Sequence, residues 1–226
     1  QSPLAARVLS QVDVLASPLV LGGGGYALSR EAIAAGAAPS SAAAVSAWKR
    51  QAGVMTANAI FAPVLGDSEV ESFAHGEVAA DYADFMRNPV GGAPRSGSYS
   101  FDFNGTHFVA LHAPGLGAVH PSTSTGAANL AWLDADLSAA RAAGARWIVV
   151  YMHADVFSTE RFEAGTVGVR QGLGEVLQRH RVNLVLSGDG TSYERSHALR
   201  GPLEAPTPAP MNWRVTTATD GIVFVR

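Results

Sequence analysis

The residues able to do chemistry in this chain gather just after short apolar runs. Gly22-Gly23-Gly24-Gly25-Tyr26 follows the first run and Gly66-Asp67-Ser68-Glu69 the second. His153 ends a third, and Gly188-Asp189-Gly190-Thr191-Ser192-Tyr193-Glu194-Arg195 follows a fourth. Four consecutive glycines could cradle a phosphate, but a mononucleotide loop requires G-x-x-x-x-G-K-[ST] and a dinucleotide loop G-x-G-x-x-G opening a helix. Gly22–Gly25 satisfies neither, since Ala27 falls where the third glycine belongs. His112 and His120 lie near a loop leaving a strand and could face a pocket, although core or surface places are the expectation. Glu71, His75 and Glu77 are spaced like one solvated helix face. His107 is expected to point outward from its strand, and His180 and His197 carry no signal.

Alternating strands and helices must position these groups. Val12–Leu21, Ile60–Leu65, Trp147–Met152 and Val182–Ser187 are apolar runs of strand length, each ending at one of the polar clusters. Tyr99–Phe103 and His107–Leu111 flank Asn104-Gly105, a strong hairpin signal. Ser40–Ala52, Asn129–Gly144 and Val167–His180 read as helices, the first beginning at a Pro39-Ser40 start signal and the second closing on glycine. Pro202–Pro210 is irregular because proline removes backbone donors. Arg214–Thr217 and Ile222–Val225 are expected to close the fold as a pair of strands. The sum is an α/β fold, read as one domain over residues 1–226. Open α/β sheets place ligands at the carboxyl ends of their strands, and four polar clusters there imply a single pocket.

The stretches Ser98–Leu111, Asn129–His153 and Val182–Ser196, in this order, resemble the calcineurin-like metallophosphoesterases, and most closely their purple acid phosphatase branch. The Tyr193-Glu194-Arg195 triplet after a strand-glycine turn is specific to that branch. The resemblance implies a β-sandwich flanked by helices in αββα layers, with the first strand of the family missing ahead of this chain. It also implies two metal ions held by seven ligands from five motifs. Here the motifs persist while the ligands change. The family's G-D-x-x-Y aligns with Gly22–Tyr26, so the carboxylate that would bridge both ions is Gly23, and Tyr26 remains. G-N-H-E aligns with Gly66–Glu69, which puts Asp67 at the asparagine and Ser68 at the histidine that assists the leaving group. G-H-x-P aligns with Met152-His153-Ala154-Asp155. In G-H-x-H-x-Y-E-R the two histidines are Asp189 and Thr191.

Two-metal phosphoester hydrolysis clamps the attacking and leaving oxygens between ions about 3.5–4 Å apart. At that separation two dications repel, and a bridging anion offsets the repulsion. Glycine at position 23 therefore weakens both sites at once. Of the ligands for one ion only Tyr26 is left, and a lone phenol does not hold a dication near neutral pH. At the other site Asp67, His153 and Asp189 are residue types that ligate one ion such as Mn, Fe or Zn. The expectation is that no cofactor is bound, with a single divalent ion as the alternative. Ser68 cannot act as a general acid in place of an imidazole. It could be a nucleophile with His153 as base, although a space-filling role is the expectation. Glu194 and Arg195 are expected to tie a loop to the body of the protein.

The remaining totals narrow the classes. With 47% apolar and 15% charged residues the chain is globular, and at 226 residues it can bury a substantial core. No apolar stretch is long enough for a membrane helix. A net charge of −3 without a basic run argues against nucleic acid. No cysteine is present, which excludes disulfides and thiolate metal sites. The N-terminal residues lack a signal-peptide pattern, so a mature or trimmed chain is expected, and secretion is implied by the family alone. The leading reading is a pseudophosphatase, a binding or structural module that holds a protein partner or small molecule in the former active-site pocket. The alternatives are a repurposed enzyme using Asp67, His153 and Asp189 with at most one metal ion, and an ordinary metal-dependent phosphoester hydrolase.

Overall fold

The structure, a computed structural model, describes residues 11, 17–26, 52–53, 57–66, 69–72, 77–78, 97–113, 119–159, 166–190, 192–201, 203, 207–208 and 221–226. In chain order its strands are β1 (Leu19–Gly22), β2 (Ile60–Pro63), β3 (Val70–Ser72), β4 (Glu77–Val78), β5 (Tyr99–Phe103) and β6 (Thr106–Ala110). After helix α1 (Ser124–Ala142) come β7 (Trp147–Met152), helix α2 (Thr166–Arg179), β8 (Leu184–Ser187), β9 (Leu199–Arg200), β10 (Thr207–Pro208) and β11 (Val223–Val225).

The central sheet has the order β11-β8-β7-β6-β5, parallel throughout except for the β5–β6 hairpin. That hairpin closes with Phe103 opposite Thr106. Its two turn residues, Asn104 at φ 48° and Gly105 at φ 78°, both take the left-handed conformation that matches strand twist. A second sheet pairs β1 and β2 in parallel, Leu19 opposite Ile60 and Gly22 opposite Pro63.

Alternation along the central strands sends side chains to two cores. Val109, Ile148, Val150 and Val185 pack on Leu133 and Leu137 of α1 and Leu173 and Leu177 of α2. On the opposite face Tyr99, Ala110 and Tyr151 meet Ala62 and Val64, with Leu19 and Leu21 of β1 packed against them. The central strands are thus covered on both faces, which is why Trp147–Met152 reads as an unbroken apolar run rather than an alternating one. Each fully buried leucine of α1 and α2 contributes about 1.5–3 kcal/mol relative to exposure. Helix layer, central sheet and second sheet together give the α/β layering of a metallophosphoesterase-like sandwich. No helix among the described residues is long and apolar enough to cross a membrane.

Several boundaries differ from the sequence expectations. Helix α1 begins at Ser124 rather than Asn129, because the Thr123 hydroxyl accepts the Gly126 N–H and caps it at 3.0 Å. The Arg141 guanidinium at its other end donates to the carbonyls of His180 (2.7 Å) and Arg181, pinning the ends of α1 and α2 together. Strand β11 pairs in parallel with β8, Val223 opposite Leu184; the expected partner strand Arg214–Thr217 lies outside the described residues. Within the proline-rich stretch, Thr207–Pro208 pairs with Leu199–Arg200. Glu71 and Glu77 belong to strands β3 and β4 rather than to one helix face, and His75 lies outside the described residues. Of Ser40–Ala52 only Ala52 is described, helical and buried; of Val12–Leu21, residues 12–16 lie outside.

Candidate functional site

The carboxyl ends of β1, β2, β7 and β8 meet at one end of the sandwich. Strands β1, β7 and β8 give way directly to Gly23, His153 and Gly188, β2 reaches Gly66 after Val64 and Leu65, and the loops bind one another through backbone groups. Val64 N–H donates to the Gly22 carbonyl at 3.0 Å, and Gly188 and Asp189 both donate to the His153 carbonyl, at 3.1 and 3.0 Å. The His153 ring donates from Nδ1 to the Gly23 carbonyl at 2.7 Å. The loops approach so closely that side chains are excluded. A Cβ on Gly24, whose φ is +87°, would stand 2.7 Å from Gly66 Cα and 2.8 Å from His153 Nδ1. One on Gly188 would stand 2.8 Å from Gly23 Cα. The glycine run is therefore the surface against which two neighbouring loops close.

Glu69 organises that closure. Its carboxylate is completely buried and accepts three backbone donors, Gly25 and Gly66 on Oε2 and Tyr26 on Oε1, each at 2.8 Å. One side chain thus fixes the turn after β1 to the turn after β2. Sequence reasoning passed over Glu69. The available signal was its place three residues after Gly66, the spacing at which an acidic side chain reaches back to a turn amide.

The expected site residues are placed as follows. His153 and Asp189 come together, Nε2 to Oδ1 at 3.6 Å, with the histidine buried and the Asp189 side chain 13% exposed. Tyr26 is buried edge-on against Phe61, ring centroids 5.8 Å apart, and its hydroxyl accepts the Gly24 N–H at 3.0 Å. Asp67, Ser68 and Thr191 lie outside the described residues. Glu194 ties a loop to the body, accepting from Thr159 N–H at 3.0 Å and Thr159 Oγ1 at 2.8 Å and facing Arg226 Nη2 at 3.4 Å. Arg195 is exposed, as is Tyr193 at 75%.

The remaining histidines divide by surroundings. His112 is wholly buried in the core, where its N–H donates to Ser98 Oγ and its carbonyl accepts from Asn129. His120 lies at the start of α1, its Nδ1 2.7 Å from Ser122 Oγ, and not in the pocket. His107 corrects the expectation that it faces outward. It is buried between Asp102 Oδ1 at 2.9 Å and Asp136 Oδ2 at 3.0 Å. Burial alone lowers its pKa, but the hydrogen bonds and charges of Asp136 and Asp102 outweigh burial and hold it above the ordinary value.

Among the described residues, those that the resemblance aligns with metal ligands do not make up a donor set for a pair of ions. Position 23 offers only a backbone carbonyl, already taken by His153, and the Tyr26 hydroxyl is turned to a backbone amide. For one ion the fit is closer. A carbonyl can only accept, so His153 carries its proton on Nδ1, the tautomer that leaves Nε2 as a ligating nitrogen. His153 Nε2 and Asp189 would hold such an ion. Among the described residues no group of three or more acidic or histidine side chains is arranged to bind a metal.

A two-sheet α/β sandwich whose functional loops leave the carboxyl ends of its strands is metallophosphoesterase-like, and comparison with known proteins carries the relationship further. The chain is 32% identical to purple acid phosphatase 23 of Arabidopsis thaliana over 163 residues, 68% of this chain and 33% of that one. Purple acid phosphatase 22 of the same plant is 32% identical over 98 residues, 43% of this chain and 21% of its own. An uncharacterized protein of Mycobacterium tuberculosis is 31% identical over 165 residues, 67% and 31% of the two chains. The chain is thus related to the purple acid phosphatases, and it spans about a third of the length of purple acid phosphatase 23 and of the Mycobacterium tuberculosis protein. No family model matches it.

Proposed function

We propose that this protein is a purple acid phosphatase-like pseudophosphatase, a scaffold that binds a ligand or partner at the mouth of its sheet without two-metal hydrolysis. The observation that carries this reading is the hydrogen bond from His153 Nδ1 to the carbonyl of Gly23. At the point where the resemblance calls for a carboxylate bridging two ions, a glycine is locked to the histidine by its backbone. Without that anion, dications about 3.5–4 Å apart would face unrelieved repulsion. Tyr26, the other remnant of the ligand pattern, has its hydroxyl committed to Gly24. The former pocket, on this reading, takes a small molecule or a segment of a protein partner, and secretion is carried over from the family resemblance alone.

A second reading is favoured by the tautomer of His153. With Nδ1 on a carbonyl and Nε2 facing Asp189, the mouth offers two ligands for a single divalent ion, to which Asp67 would add a third. Metal content and turnover separate the two. Protein purified without chelator is analysed for metal per chain and assayed with an aryl phosphate across the pH range. The pseudophosphatase reading expects no stoichiometric metal and no turnover. One equivalent, lost in Asp189→Asn, supports the single-ion reading; two equivalents with turnover refute both.

A further inference from the structure

The face of the central sheet turned toward β1 and β2 is covered over only part of its length. Register sets its side chains in rows across the strands. The row nearer the carboxyl ends, Tyr99–Ala110–Tyr151, packs against residues of β1 and β2 and is 1–3% exposed. The next row toward the amino ends, Phe108–Val149–Leu184–Val223, is half-buried, and Trp147 beyond it is 38% exposed. Their neighbours on the helix face, Val109, Ile148, Val185 and Phe224, are all buried, so the opening belongs to this face alone.

A groove of about 600 Å³ occupies the opening and crosses β6, β7, β8 and β11. At the usual strand spacing that is a run of about 14 Å. Its floor is the half-buried row together with Val225. One end is aromatic, formed by Trp147 and by Phe108, which stacks on Phe101 with centroids 5.3 Å apart. At the other end Arg195, bridged to Val225 across the strand edge, shares the wall with Tyr193. Arg195 is exposed and pairs with no carboxylate among the described residues, and no carboxylate lines the groove. Asn183 on the rim spends its Oδ1 on the Ile148 N–H at 2.8 Å. The groove is thus apolar along its length and positive at one end, and burying its floor is favourable in proportion to the area covered. We propose that it binds a single-chain amphipathic carboxylate, the alkyl chain lying across β11, β8 and β7 toward Trp147 and the carboxylate resting on Arg195. Neither His153 nor Asp189 lines the groove, and the proposal does not depend on how their mouth functions.

The test is isothermal titration calorimetry of the full chain with dodecanoate, kept below its micelle concentration, where saturable binding at a single site is expected. Octanoate should bind at least about tenfold more weakly, since each methylene withdrawn from an apolar surface loses up to about fourfold. Dodecyltrimethylammonium should bind at least about threefold more weakly than dodecanoate, the scale of one exposed ion pair, and Arg195→Glu should reverse that order. Trp147→Ala, at an exposed position, should weaken dodecanoate at least about threefold. Asp189→Asn, outside the groove, should leave its affinity within about twofold. Absence of saturable dodecanoate binding overturns the proposal, as does a head-group preference unchanged in Arg195→Glu or an affinity unchanged in Trp147→Ala. Loss of binding in Asp189→Asn would move the ligand to the mouth and overturn it equally. Sedimentation with phosphatidylglycerol vesicles by a chain that ignores free dodecanoate would make this face a membrane surface instead.

Discussion

Replacing Glu69 by glutamine tests whether one carboxylate closes the mouth of the sheet. Oε2 accepts both Gly25 and Gly66, and Oε1 accepts Tyr26, all at 2.8 Å from a side chain with no solvent exposure. The glutamine amide has one acceptor oxygen, which serves best where two donors converge. Its NH₂ then replaces Oε1 and points donor to donor at the Tyr26 N–H. An unsatisfied buried donor costs about 1–3 kcal/mol, and turning two charge-assisted bonds into neutral ones costs roughly 1 kcal/mol each. The sum is about 3–5 kcal/mol. For a domain of this size each kcal/mol moves the midpoint by about 2–4 °C, so Tm should fall by roughly 6–20 °C in a circular dichroism melt. Hydrogen exchange supplies the local readout: the amides of Gly25, Tyr26 and Gly66 should lose protection before those of β7. A variant melting within about 1 °C of wild type with those three amides still protected would refute the assignment.

Gly24→Ala and Gly105→Ala carry similar backbone strain, φ +87° and +78°, yet a Cβ meets Gly66 Cα at 2.7 Å in the first and nothing within 4 Å in the second. Gly105→Ala should cost about 1–2 kcal/mol, the left-handed penalty alone, and Gly24→Ala clearly more in urea denaturation; equal costs would mean that the loops do not close on the glycine run. His107, with its folded pKa raised above the ordinary 6.5, binds its proton more tightly in the native state. Its stabilising contribution is therefore complete below about pH 6 and is lost as pH rises from about 6.5 through the folded value. Urea midpoints should fall over that window in wild type and fall less in His107→Gln; an unchanged slope would remove the Asp102–His107–Asp136 clamp from the account.

Local signals in the sequence located the elements well wherever the physics was itself local. Asn104-Gly105 demands a two-residue turn, and the hairpin has that turn. Trp147–Met152 is a strand residue for residue, since an apolar run of that length is stable only when buried on both faces. Partnership was less legible. Ile222–Val225 has the period of a strand, but period does not say whether the neighbour is parallel or antiparallel, and β11 lies beside β8. His107 was misplaced for a related reason: alternation assigns a residue to a face, not to solvent. Its face is the helix side, where Asp136 of α1 and the cross-strand Asp102 make burial of an imidazole tolerable.

The mouth shows the same division more sharply. Strand ends marked its position, because polar residues after apolar runs collect at the carboxyl edge of such sheets. What holds it together was not legible, since the partners of its side chains are backbone groups far away in sequence. Glu69 reaches amides 43 and 44 positions earlier, and His153 reaches a carbonyl 130 positions earlier. Spacing can mark the local bond from Gly66 to Glu69, but no side-chain pattern encodes a backbone partner so far away in sequence. Strand ends also say nothing about what keeps the loops ordered, for in a metal centre the ions can hold the loops. Here Glu69 and His153 tie the turns after β1, β2 and β7 to one another through side-chain to backbone hydrogen bonds. A mouth held by these bonds should keep its Tm on chelation, and a fall of several degrees with EDTA would assign the closure to a bound ion instead.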